Sequence, residues 1–252
     1  MTPTRIPEGA VKTFVIGLDL DDTLLPTARE YHRAMWQCGA IIDNVLGERS
    51  PHPKDIIDFQ QRTDITLIER EGFKPDRFPT SWVMTLDHFA HLCNVAVPTA
   101  VSQAVFEAAQ RFCQGPFRPF PGVLRTLTRL REGGHELHCI SAGIGAESLQ
   151  HRKLREADLT DFFRTITITG ADKTPAMERV FNDRRERSVM VGDSKRHDIL
   201  PAIALGVTAV WVPSSSWSFA QADVDPSTHY TIHHLTELPG LITRLNEHRP
   251  QP

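Results

Sequence analysis

Phe14-Val15-Ile16-Gly17-Leu18-Asp19-Leu20-Asp21-Asp22-Thr23-Leu24 is an apolar run that ends abruptly in three carboxylates. Its length and β-branched content read as a strand buried on both faces, and such strands occur mainly in parallel sheets covered by helices on either side. The acids then stand at the strand's carboxyl end, the edge at which open α/β sheets bind ligands. Asp19 and Asp21 placed this close repel and raise one another's pKa unless a cation or a shared proton relieves them. A hard divalent cation with oxygen ligands is the simplest relief.

The chain of 252 residues is 40% hydrophobic, sufficient for a real core in one large domain or two modest ones. A net charge of −3 and a pI near 6.5 supply no long-range field for nucleic acid or an anionic membrane, so phosphate recognition must come from a few placed cations. The expected partner is a small ligand. Cys38, Cys93, Cys113 and Cys139 lie in apolar surroundings without CxxC spacing, which favours buried thiols in a reducing compartment over a disulfide framework or a zinc site. Met1 to Val11 lacks a signal-peptide core and no run reaches membrane-spanning length, so a cytoplasmic location is expected.

Downstream of Leu24 the period changes. Thr27-Ala28-Arg29-Glu30 has the form of a capping box that opens a helix running toward Gly47. Helical spacing continues from Lys54 to Arg70, breaks in a loop from Phe73 to Pro79, and resumes with Trp82, Val83, Leu86, Phe89, Ala90 and Cys93 on one stripe, then again from Val101 to Cys113. No strand is expected between Leu25 and Gln114. Beyond Pro121-Gly122, strands at Glu136–Ser141, Ile166–Thr169, Ser188–Asp193 and Val207–Val212 alternate with helices, among them Ala146 to Ala157, Ala176 to Phe181, Arg196 to Leu205 and Leu235 to Leu245. The expectation is a doubly wound, Rossmann-like α/β parallel sheet. Residues 1–25 and 115–252 would form this core, and residues 26–114 an inserted helical domain.

Three expected strands end in polar residues on one sheet edge: Asp19 with Asp21, Ser141, and Asp193. Lys173 precedes an expected helix and supplies a cation. Ser141 leads into Ala142-Gly143-Ile144-Gly145, small residues that let backbone amides approach an anion.

In these residues the chain resembles the haloacid dehalogenase-like superfamily of aspartate-nucleophile phosphohydrolases. Asp19, Asp21 and Thr23 match its Asp-x-Asp-x-Thr motif, Ser141 its strand-ending Ser or Thr, and Lys173 its Lys ahead of a helix. Gly192, Asp193, Ser194 and Asp198 match Gly-Asp-Ser with a second Asp, and Phe120-Pro121-Gly122-Val123 resembles the re-entry into the core. The resemblance implies that residues 26–114 form a helical cap. It implies that Asp19 attacks phosphorus, that Asp21 serves as general acid and then base, and that Mg²⁺ is held by Asp19, Asp193 and the main-chain carbonyl of Asp21. Lys173, Ser141, Thr23, Ala142 and Gly143 would contact the phosphoryl group, with Asp198 supporting Lys173 or the metal and Ser194 capping a helix. The implied enzyme is a Mg²⁺-dependent phosphatase of a small phosphorylated metabolite. A mutase of the same family, a dehalogenase, a receiver-type signalling domain and a non-catalytic phosphate-binding scaffold are the alternatives. His88 and His91 are read as a helix face, not metal ligands; Arg62, Arg70, Lys74 and Arg77 have two readings, contact with an anionic substrate tail or solvated charge, of which solvated charge is preferred.

Overall fold

β1 (Val15–Leu18) occupies the interior of a parallel sheet, and all four of its residues are buried. The computed structural model describes residues 13–143, 147–214 and 217–247. Within them the sheet runs β3-β2-β1-β4-β5-β6, with β2 spanning Glu136–Ala142, β3 Thr165–Thr169, β4 Ser188–Gly192, β5 Thr208–Trp211 and β6 Tyr230–Thr231. Every pairing is parallel. The order reverses between β1 and β4, so Asp19 and Asp193 emerge side by side at the switch point where such sheets open a crevice.

At Gly17 helix and sheet approach closely. A Cβ there would lie 2.8 Å from the Phe181 ring and 3.0 Å from the Met190 sulfur. One face of the sheet is covered by α5 (Val123–Glu132), α6 (Glu147–Glu156) and α9 (Leu238–Glu247), whose Leu127, Leu130, Leu154 and Leu241 pack with Phe14, Ile16 and Leu18. The other is covered by α7 (Thr174–Phe181) and α8 (Leu200–Ala204), packed with Ile140 and Met190. Between β1 and α5 lie α1 (Thr27–Leu46), α2 (Pro53–Glu71), α3 (Arg77–Leu92) and α4 (Thr99–Gln110). They own a separate apolar cluster around Ala34, Ile42, Trp82, Leu86, Val105 and Phe112. The Trp82 stripe is thus core, and His88 stacks on Phe59 at 3.9 Å between ring centroids.

Several local expectations are corrected. The Thr27/Glu30 capping box does not form: the Thr27 hydroxyl donates to Asp21 at 2.5 Å and the Thr27 N–H to the Leu25 carbonyl at 2.9 Å, while the Ala28 N–H donates to Asp22 Oδ1 at 2.7 Å. Asp22 can reach back because its φ of +58° folds the turn, a conformation Asp tolerates better than most residues. The segment from Phe73 to Pro79 is not all loop, since α3 begins at Arg77. Pro79 falls in its first turn, where a missing N–H costs nothing. Arg196 to Leu205 is not one regular helix: Lys195–Ile199 form a wide turn, with Ile199 N–H donating to the Ser194 carbonyl, and α8 begins only at Leu200. Pro201 lacks the N–H that a continuous helix would need there.

Adding a methyl at Gly17 tests the packing. Gly17→Ala should lower the unfolding free energy by about 1–3 kcal/mol through forced displacement of Phe181 and Met190. Chemical denaturation measures it, and an unchanged midpoint would contradict the close approach.

Candidate active site

β1 and β4 stop one residue short of Asp19 and Asp193, and the chain turns so that both carboxylates face the gap between the strands. Gly192 makes this possible, because a Cβ at that position would overlap the Asp198 carboxylate tucked behind it. Asp198, fully buried, accepts from the Ser194 N–H at 3.0 Å and from Lys173 Nζ at 2.7 Å. The same ammonium donates to Asp19 Oδ1 at 2.5 Å. Lys173 is therefore a buried cation bridging two buried acids, and its ion pairs are with these and not with the neighbouring Asp172. Asp172 instead caps the Thr174 N–H at 2.9 Å.

Carboxylate oxygens of Asp19, Asp193 and Asp198 lie within 4.8 Å of one another. Three buried acids against one lysine leave a surplus of negative charge. Burial pushes the Asp19 carboxyl up to about 7, with Lys173 opposing the rise and Asp198 adding to it. Burial, then the charges of Asp19 and Asp198, hold Asp193 well above the carboxylate range, although Ser214 Oγ donates to it at 2.9 Å. A donor set made only of hard oxygens, crowded and under-neutralised, fits a divalent cation such as Mg²⁺. Lys173 shows the complementary response: burial alone would lower its pKa, but Asp19 and Asp198 raise it far above the ordinary lysine value.

Asp21 follows the opposite course. Its side chain turns away from the three-acid cluster toward α6, where Lys153 Nζ donates to both oxygens at 2.7 and 2.9 Å and Gln150 Nε2 donates at 2.9 Å. Burial raises the pKa of this carboxyl, but Lys153, Thr27 and Gln150 more than reverse that and hold it below the usual range. Gln150 also donates to Ser141 Oγ at 3.0 Å and to the Ala142 carbonyl at 3.0 Å, tying β2 to Asp21.

One cavity is lined by Asp19, Asp21, Ser141, Ala142, Lys173, Asp193, Ser194 and Asp198, so the structure brings these expected residues together. Two others are placed differently. Thr23 lies behind Asp19, its hydroxyl 3.5 Å from Oδ2, outside the lining of that cavity. The Gly143 N–H donates to the Thr169 carbonyl at 2.8 Å, so it is engaged by the sheet and not offered to an anion. Ile144 and Gly145 of the expected anion loop lie outside the described residues. The Ser194 hydroxyl accepts from the His197 N–H at 3.0 Å, as a cap.

Lys153, Gln150 and His197 went unread in the sequence as site residues. Gln150 and Lys153 sit three apart on α6, but in the run Gln150-His151-Arg152-Lys153 nothing local separates the buried cation from the exposed one. Arg77, expected in solvent, is buried against Asp64 and lines the cavity.

Fold and site together define a class: a doubly wound α/β hydrolase with an acid cluster at its switch point. The chain belongs to the haloacid dehalogenase-like hydrolases, whose family model matches residues 15–206. It is 30% identical over 238 residues to a glyceraldehyde 3-phosphate phosphatase of Pyrococcus furiosus, covering 90% of this chain and 91% of that one. It is 27% identical over 161 residues to the pyrimidine 5'-nucleotidase YjjG of Escherichia coli, covering 60% and 68%. Among solved structures, a haloacid dehalogenase-like hydrolase of Xanthomonas campestris superposes with a TM-score of 0.75 at 20% identity, covering 98% of this chain and 97% of that one. YfnB of Bacillus subtilis, crystallised bound to magnesium, superposes at 0.60 and 18% identity, covering 92% and 99%. These two likenesses concern the fold. No helix among the described residues is long and apolar enough to cross a membrane.

The charge surplus sets a pH dependence. Asp19 and Asp193 bind protons more tightly folded than unfolded, so their contribution is complete below the unfolded value of 3.8; that of Asp19 is lost as pH rises through about 7, and that of Asp193 as pH rises through its own raised pKa. His135, His138 and His197, whose pKa values burial lowers, act in the opposite sense. The quantity to measure is therefore the melting temperature of Asp193→Asn minus that of the parent, both in EDTA. It should grow between about pH 5.5 and about pH 8, and Mg²⁺ should raise the parent more than the variant at the upper value. A difference independent of pH would sink the charge-surplus account.

Proposed function

We propose that this hydrolase is a Mg²⁺-dependent phosphatase of a small phosphorylated metabolite, with residues 26–114 acting as a cap over the cavity. The observation that carries the reading is Lys173, buried between Asp19 and Asp198 with Asp193, Ser141 and Asp21 around the same cavity. A transferring phosphoryl group needs a nucleophile, a proton donor and concentrated positive charge, and little else from the protein. The phosphatase names of the Pyrococcus furiosus and Escherichia coli relatives support the same class.

Asp19 would attack phosphorus to give an aspartyl-phosphate while the bond to the leaving oxygen breaks, and Asp21 would deliver the proton that oxygen needs. Water then attacks the same phosphorus. Asp21 takes the water's proton, phosphate leaves and Asp19 is regenerated. Lys173 keeps the Asp19 oxygen and the equatorial phosphoryl charge compensated throughout, and Ser141 donates a hydrogen bond to a phosphoryl oxygen. Asp19, Asp193 and the main-chain carbonyl of Asp21 would hold Mg²⁺, which supplies electrostatic stabilisation of the charge on the group in transfer. Both oxygens of Asp21 are occupied by Lys153, Thr27 and Gln150, which keep it ionised. That form suits the second half of the cycle. The first half requires Asp21 to leave Lys153 and carry a proton.

The direct experiment is release of phosphate from p-nitrophenyl phosphate with added Mg²⁺. Asp19→Asn should abolish it, and a folded Asp19→Asn protein at the parent rate would refute the assigned nucleophile. Ser141→Ala should slow turnover roughly a hundred- to thousandfold. Removing the cation beside Asp21 raises the pKa of that carboxyl, and the first half of the cycle needs it protonated, so Lys153→Met should move the alkaline limb of the kcat/KM profile to higher pH. An unmoved limb would detach Lys153 from the proton transfer.

A further inference from the structure

The cavity above Asp19 measures about 200 Å³, and its far wall comes from the helical segment. Tyr31, Phe73 and Phe78 supply rings to that wall, and Gln60, Asp64 and Arg77 supply polar groups. Arg77 and Asp64 are buried and form an ion pair at the head of α3 and the middle of α2. The guanidinium also lies 5.9 Å from the ring centroids of Phe73, on its own segment, and of Trp217, on the sheet domain's side. Arg77 thus stands where the helical segment meets the core, above the three-acid cluster.

The pair is incompletely satisfied. Asp64 Oδ1 and Arg77 Nε are sealed from solvent and have no hydrogen-bond partner. Buried polar atoms without partners are costly, and in a cavity wall they point to a ligand that brings the missing groups. Each side of the pair still wants something different: the acid a donor, the guanidinium an acceptor. A hydroxyl or a carbonyl with its neighbouring hydroxyl offers both without net charge. A second carboxylate or phosphate would satisfy Arg77 only by facing Asp64, whose charge Arg77 would then no longer neutralise.

We propose that Arg77 and Asp64 together select an uncharged, hydroxyl- or carbonyl-bearing leaving group and reject phosphate esters that carry a second anion. This rests on the phosphatase reading above and adds the substrate class to it. Neither residue touches the reacting atoms; together they set which alcohol can occupy the space between the cap and Asp19.

The test uses a matched pair, glycerol phosphate and phosphoglycerate esterified on the same terminal carbon, which differ by a hydroxymethyl against a carboxylate. The parent enzyme should favour glycerol phosphate in kcat/KM by roughly ten- to a hundredfold. Asp64→Asn, which releases Arg77 to pair with the substrate carboxylate, should shrink or invert that ratio by at least about tenfold. The ratio is taken within one preparation, so a loss of folded protein cancels. A parent ratio at or below unity, or a ratio unmoved in Asp64→Asn, overturns the proposal. If Asp64→Asn is not recovered folded, the parent ratio decides alone. Turnover of p-nitrophenyl phosphate separates the two levels: with it intact, a failed ratio removes this inference only, and with no Mg²⁺-dependent turnover of any ester the phosphatase reading fails as well.

Discussion

A lysine ammonium buried among carboxylates is the constraint on which the remainder of this molecule depends. Lys173 pairs with Asp19 and Asp198 at 2.5 and 2.7 Å, with Asp193 in the same cluster. Taking such charges out of water is expensive, and a buried group of this kind persists only if every partner is held in place. The holding is visible in the backbone: parallel β1 and β4 set Asp19 and Asp193 in register, Gly192 leaves room for Asp198, and the wide turn at Lys195–Ile199 returns Asp198 to the Ser194 amide. Even so, one cation against three acids leaves the cluster under-neutralised. A site in that condition is prepared for additional positive charge.

The same strand end carries a second, differently compensated acid. Asp19 and Asp21 are two residues apart, yet burial beside other acids drives one pKa up while Lys153, Thr27 and Gln150 draw the other down. Separation of two neighbouring carboxyls in this way lets them perform different chemistry. The helices responsible lie on opposite faces of the sheet. Lys173 comes from the head of α7, Lys153 from α6, and β1 between them lends each an acid.

The inserted helices add a third charged pair with its own logic. Asp64 and Arg77 sit within a segment that has an apolar cluster of its own, and both line the same cavity as Asp19. In the function proposed above, chemistry belongs to the strand ends and discrimination to the surface that faces them.

How much of this was legible follows from range. β1, β2 and β4 announce themselves as apolar runs, and the polar residues that end them are adjacent in sequence to the strands that aim them, so Asp19, Ser141 and Asp193 could be read directly. The helical character of residues 27–110 is likewise a local periodicity. The cap of α1 does not follow the local signal because the Thr27 hydroxyl is drawn to Asp21 and its N–H to the Leu25 carbonyl, while Asp22, folded back at positive φ, holds the Ala28 amide. Lys153 could not be read, and Arg77 could not be told from solvated charge, since a charged residue on a helix looks the same whether it meets water or a carboxylate from a distant strand or helix. By itself, then, the amino-acid order determined the alternation of strand and helix and the acids at the strand ends, because hydrophobic period and turn chemistry act over a few residues. Only the tertiary structure decided which lysine meets which aspartate, because electrostatic partners are chosen by distance in space.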